Sequence, residues 1–105
     1  NTMAFNGKEG GAISLEQGAD MTARYRTAHP GDTKGHFYGK DILQKLLDQE
    51  GSMGIRMYYG IDENGEKELV LVSADADEND NLDLVVDISQ PCPPRCGASN
   101  DLNSQ

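Results

Sequence analysis

The residues best placed by type and spacing to do chemistry lie in Pro91-Cys92-Pro93-Pro94-Arg95-Cys96-Gly97. Three prolines stiffen a loop that holds both cysteines of the chain, four positions apart. Three chemistries fit. A local disulfide would close a short loop, for which the chain-entropy model credits about 2 kcal/mol. A redox pair would use Arg95 to lower a thiol pKa, although Cys-x3-Cys is not the Cys-x-x-Cys redox spacing. Half of a zinc site would need completing by His29 and His36, the two histidines of the chain. These lie seven residues apart across a Pro-Gly turn, outside the usual finger spacings. The pattern favours a structural pair, bridged or reduced according to the redox compartment.

Two other stretches invite a ligand and fall short. Counting Asp75 as the first position of a calcium loop places Asp77, Asn79, Asn81 and Asp83 at alternate ligand positions. The required glycine is then Asp80, the bidentate glutamate is Val86, and strands stand where helices should flank the loop. Gly35-His36-Phe37-Tyr38-Gly39-Lys40-Asp41 has one residue too few for a phosphate loop and an aspartate where magnesium wants Ser or Thr. Phe37 reads instead as a core anchor. No nucleophile elbow, metalloprotease motif or other catalytic set is visible, so the residues imply neither an enzyme nor a cofactor.

These loops hang on a frame set by residues 53–88. Ile55, Met57 and Tyr59 alternate with Arg56 and Tyr58, the period of a strand with one buried face. Asp62-Glu63-Asn64-Gly65 follows, and Asn-Gly predicts a type I′ hairpin turn, which needs φ > 0 at both residues. Residues 68–73, Glu-Leu-Val-Leu-Val-Ser, are apolar on both faces, as in a central strand with cover on each side. After a polar tip, Leu82, Leu84, Val86 and Ile88 share one face of a third strand. The opposite face of the sheet carries Tyr58 and Val85, a surface for a partner or a homodimer. Upstream, Ser14-Leu15-Glu16-Gln17 has the form of a capping box opening a helix from Leu15 to about Ala28, with Leu15, Ala19, Thr22 and Tyr25 on one stripe. His29-Pro30 ends it. A second helix from Gly39 to about Gln49 places Ile42, Leu43, Leu46 and Leu47 on an apolar face, with Gly51 as its stop. The expected architecture is α+β, two N-terminal helices packed on one face of a three-stranded antiparallel meander, order ααβββ. Residues 1–12 read as a flexible lead-in, 13–90 as a single domain and 91–105 as a Pro/Cys loop with a polar tail.

At 105 residues the chain suits one core. Its net charge of −9 is unevenly placed: residues 1–52 hold six Lys/Arg against seven Asp/Glu, and residues 53–105 hold three against eleven. Such a field repels phosphate backbones, disfavours nucleic acid and speeds encounter with a basic partner. No apolar run is long enough to span a membrane. The start, Asn1-Thr2-Met3-Ala4-Phe5, lacks a basic segment followed by an apolar one, so no signal peptide is visible. Asn1-Thr2 read as extra residues ahead of a native Met3, which favours the cytoplasm.

His36-Phe37-Tyr38-Gly39-Lys40-Asp41-Ile42-Leu43, Gly54-Ile55-Arg56-Met57-Tyr58-Tyr59-Gly60 with its Asp-Glu-Asn-Gly turn, and Pro91-Cys92-Pro93-Pro94 together resemble a family of small uncharacterised bacterial proteins. The resemblance covers roughly residues 14–102. It implies a free-standing domain of this size and assigns no activity, cofactor or site residue. The expectation is therefore a small acidic, non-enzymatic protein-protein interaction module, accessory or inhibitory in kind. The alternative is thiol or metal chemistry at Cys92 and Cys96, with His29 and His36 as further ligands.

Overall fold

The computed structural model describes residues 4–104, so the reading of Asn1-Thr2 ahead of Met3 lies outside the described residues. The elements are α1 (Leu15–Ala28), β1 (Gly35–Phe37), α2 (Lys40–Leu47), β2 (Gly54–Ile61), β3 (Lys67–Ala74), β4 (Asp80–Val86) and β5 (Gln90–Cys92). They form two antiparallel sheets, β1-β5 and β2-β3-β4. The chain divides into two compact units. One joins residues 4–10 with Tyr38–Ser89, and the other joins Gly11–Phe37 with residues 90–104.

This corrects the expected ααβββ layout with both helices on one meander. Among the described residues five strands in two sheets replace three in one, and α1 belongs to a different unit from β2, β3 and β4. The physical reason lies in α1 itself, none of whose residues is buried and whose Leu15 is exposed. Without a broad apolar stripe a helix has little to offer the face of a sheet.

In the first unit, α2 supplies the cover. Leu46 is its one buried residue and packs with Leu71 of β3 and Val86 of β4. Tyr38, Ile42, Leu43, Ile55, Leu69 and Leu84 pack around those three, partly buried. Burying a leucine fully is worth about 1.5–3 kcal/mol, so this cluster contributes several kcal/mol, and Val72 and Ala74 are buried in the same unit beside it. Phe37, expected as a core anchor, is exposed. The next residue, Tyr38, does that work, and its hydroxyl donates to the Leu69 carbonyl and, at 3.3 Å, to Asp87. Leu47, expected on the apolar face of α2, is also exposed.

The two turns of the three-stranded sheet share one design. In the first, the Asp62 carboxylate accepts from the amides of Asn64 (2.8 Å) and Glu66 (2.9 Å), and the Asp62 carbonyl accepts from Gly65. Gly65 has φ 82°, whereas Asn64 is not among the positive-φ residues, so the turn is not the expected type I′. It is a type I turn closed by a left-handed glycine. In the second, the Asp75 carboxylate accepts from Asp77 and Asn79, both at 2.9 Å, the Asp75 carbonyl accepts from Glu78, and Glu78 has φ 70°. The strands after this second turn are irregular. Ser73 pairs with Asn81 but Leu71 pairs with Val86, so β4 bulges between them. The bulge breaks the simple alternation expected there, and Leu82 and Ile88 end up exposed rather than sharing the core face of Leu84 and Val86.

The segment before Gly11 makes definite contacts. The Phe5 amide donates to the Ala76 carbonyl at 3.0 Å, and the Arg56 guanidinium lies 5.4 Å from the centre of the Phe5 ring.

In the second unit, α1 opens on the reciprocal capping box of Ser14 and Gln17, each bond 3.0 Å. A Cβ at Gly18 would stand 3.4 Å from Leu102 Cδ2 and 3.8 Å from Ile13 Cδ1, so the glycine lets those two side chains close on the helix. Arg26 donates to the Leu102 carbonyl at 2.6 Å and Lys34 Nζ to the Asn103 carbonyl at 2.8 Å. β1 and β5 pair Gly35 with Cys92, His36 with Pro91 and Phe37 with Gln90.

A candidate interaction surface on the three-stranded sheet

Cross-strand register sorts the side chains of β2 into two faces. Ile55, Met57, Tyr59 and Ile61 share the face of Leu69 and Leu71, because Met57 pairs with Leu71 and Tyr59 with Leu69. α2 covers that face only in part. Eight helical residues span about 12 Å, whereas eight strand residues span about 26 Å. The helix reaches Ile55, and beyond it Tyr59 is 95 % exposed and Ile61 71 %. Met57 and Tyr59, expected in the core, are exposed, and with Ile61 they form an apolar stripe. Among the described residues β2 is also an outer strand, with β3 as its one neighbour in the sheet.

The opposite face is held by a polar clamp. Asp80 receives Arg56 Nη1 on one oxygen and the Tyr58 hydroxyl on the other, both at 2.5 Å, and the same Arg56 nitrogen donates to the Glu78 carbonyl at 3.1 Å. The Tyr58 hydroxyl, then Arg56, hold the Asp80 carboxyl below its usual range, and Asp80 in turn raises Tyr58 and Arg56. Tyr58, a candidate contact residue from sequence, thus has its hydroxyl committed within the sheet, while Val85 is exposed. The clamp was not legible beforehand, since it joins alternate residues of one strand to the first residue of another. At the far end of the sheet, desolvation, then the neighbouring Asp87 carboxyl, raise Glu68, with Asp62 and Glu66 adding to the effect.

The candidate loops for chemistry resolve as follows. Cys92 and Cys96 have their sulfurs paired, with Cα atoms 4.7 Å apart, and neither is a free thiol. The Lys34 amide donates to the Cys92 carbonyl at 2.6 Å, tying the loop to the residue before β1, and the Arg95 amide donates to the Pro91 carbonyl at 2.9 Å within the loop. His36 stands opposite Pro91 in that ribbon. His29 caps α1, stacks on Tyr25 with ring centres 4.5 Å apart, and has Nδ1 3.6 Å from Asp32. Among the described residues no three His, Cys, Asp or Glu side chains gather as a metal site, and no helix is long and apolar enough to cross a membrane. In the Asp75 loop the side-chain oxygens serve backbone amides and the clamp: the Asp75 carboxylate takes two amides, the Asn81 carboxamide oxygen takes that of Asp83, and the Asp80 carboxylate holds Arg56 and Tyr58.

No family model matches the chain, and neither a curated protein nor a solved structure is found to be similar to it.

Proposed function

We propose that this protein is a non-enzymatic recognition module that binds another protein along β2, as an accessory or inhibitory subunit does. One observation carries the reading: Tyr59, in the middle of an outer strand and on the face that elsewhere forms the core, is almost wholly exposed. Buried tyrosine is a strong source of binding energy at interfaces, because it brings a large rigid surface at low entropic cost. Ile61 and Met57 extend the stripe on either side. The test is retention from native lysate by the intact chain and by Tyr59→Ser/Ile61→Ser. A partner held by the first and lost from the second, with both equally stable to heat, supports the reading. Equal retention by both would remove it.

A second reading rests on the paired sulfurs of Cys92 and Cys96, the latter exposed. An external thiolate would attack one sulfur, form a mixed disulfide and release the other as thiolate. Thiol titration across a series of glutathione buffers tests it. A pair reduced only under conditions far more reducing than glutathione would leave the bridge as a local staple.

A further inference from the structure

We propose that the occupant of the β2 edge is a basic extended segment, apolar at alternate positions and flanked by Lys or Arg, that adds to the sheet as a fourth strand. This rests on the reading above and names the chemistry of the partner.

Natural sheets blunt their outer strands with lysine, proline, bulges or very short length. β2 has none of these. It runs eight residues in unbroken register from Gly54 opposite Ala74 to Ile61 opposite Lys67, and its sequence Gly-Ile-Arg-Met-Tyr-Tyr-Gly-Ile contains neither lysine nor proline. Its single charge, Arg56, is engaged by Asp80 on the face away from the stripe. The backbone edge and the apolar stripe therefore present together the two elements of strand addition: main-chain groups for affinity and alternate side chains for selectivity.

The charge around that edge chooses between occupants. Residues 53–90 hold ten Asp/Glu against two Lys/Arg. The carboxylates bracket β2 at both ends. Asp62, Glu63 and Glu66 lie in the turn that leaves Ile61, and Asp75, Asp77 and Glu78 lie in the turn beyond Ala74, the partner of Gly54. Two copies pairing antiparallel through β2 would bring these acidic ends together in pairs, and like charges within about 8 Å repel at physiological salt. A segment with cations at its ends meets attraction at both. Its alternate apolar residues would pack against Met57, Tyr59 and Ile61, and an arginine reaching the Tyr59 ring would gain a cation–π contact. Charge thus excludes the second copy and admits the basic strand.

The probe is a synthetic peptide, Lys-Lys-Val-Thr-Val-Thr-Val-Lys-Lys, titrated into the intact protein and read by fluorescence anisotropy and by amide chemical shifts. Two controls share its core: one with glutamates replacing the four lysines, and one N-methylated at alternate backbone nitrogens. The expected result is binding that shifts the amides of residues 54–61 and weakens at least about tenfold with either control or on raising salt to about 0.5 M. Tyr59→Ser/Ile61→Ser should weaken it similarly at unchanged thermal stability. Equal binding of the N-methylated peptide would overturn strand addition, and equal binding of the glutamate peptide would overturn the basic occupant. Light scattering at about 0.5 M salt that shows a dimer lost in Tyr59→Ser/Ile61→Ser would instead make the second copy the occupant. A lysate partner that needs Tyr59 and Ile61 while the basic peptide fails would overturn this inference and leave the recognition reading standing.

Discussion

Glu78 holds, in the turn between β3 and β4, the left-handed position that Gly65 holds between β2 and β3. Each amide donates to the carbonyl of the aspartate that opens its turn, Asp75 for Glu78 and Asp62 for Gly65. A non-glycine residue in that conformation costs roughly 1–2 kcal/mol, and a glycine costs roughly 0.4–1 kcal/mol in unfolded-chain entropy. Backbone strain outweighs the entropy. Glu78→Gly is therefore expected to stabilise the protein by about 0.5–1 kcal/mol. Gly65→Ala should destabilise it by a similar amount, although among the described residues nothing beyond its chain neighbours lies within 4 Å of the added Cβ. Urea unfolding of the two variants checks both signs.

The Asp80 clamp predicts an acid-side dependence of stability. Its folded-state pKa is lowered, chiefly by the Tyr58 hydroxyl and then by Arg56. The stabilisation is thus present above the ordinary aspartate range and is lost as pH falls through the lowered value. Asp80→Asn should flatten that loss in thermal melts taken from pH 6 down to about pH 2.

Glu68 works with the opposite sign, because burial and Asp87 raise its folded-state pKa. Its contribution is complete below the ordinary glutamate range and fades as pH rises through the raised value. Glu68→Gln should gain stability relative to the parent at neutral pH and lose that advantage near pH 4 and below.

Adjacent leucines on α2 should differ sharply. Leu46 is fully buried against Leu71 and Val86, so Leu46→Ala is expected to cost about 2–5 kcal/mol. Leu47 is exposed, and Leu47→Ala should stay within roughly 0.5 kcal/mol. Against a total of roughly 5–15 kcal/mol for a small domain, the first change endangers folding and the second is neutral. Denaturation midpoints measure the contrast.

Replacing Cys92 and Cys96 by serine removes a closure worth about 2 kcal/mol in the chain-entropy model. Hydrogen exchange should quicken first at the amides of Lys34 and Arg95, which bond the Cys92 and Pro91 carbonyls. Unchanged protection at both would show that the loop holds without its bridge.

Local chemistry was what the sequence disclosed best. Ser14 and Gln17 are three residues apart and form the reciprocal cap their types suggest. Asn64-Gly65 marked a hairpin, but Asp62 chose its type, because one carboxylate could satisfy two turn amides. The signal was present in Asp75 as well, which opens the second turn in the same way. Period-2 alternation placed Met57 and Tyr59 on one face correctly, yet it cannot tell whether anything covers that face. That depended on the short reach of α2. The β1–β5 pairing was hidden because strands of three residues carry no period, and the partner of Gly18 and Arg26, Leu102, lies in a tail that reads as irregular polar chain. The Asp80 clamp was hidden by the bulged strand that begins with it.

The split second unit bears on how the protein emerges from the ribosome. α1 is translated before the three-stranded sheet, yet its bond to Leu102 must await that residue, and β1 lacks its partner strand until Cys92 is out. The sheet of β2, β3 and β4, by contrast, has every strand once Val86 is made. Synthesis thus reverses the usual amino-to-carboxyl order of assembly. A message cut short after Ser89 would yield the three-stranded sheet with α1 still lacking Leu102.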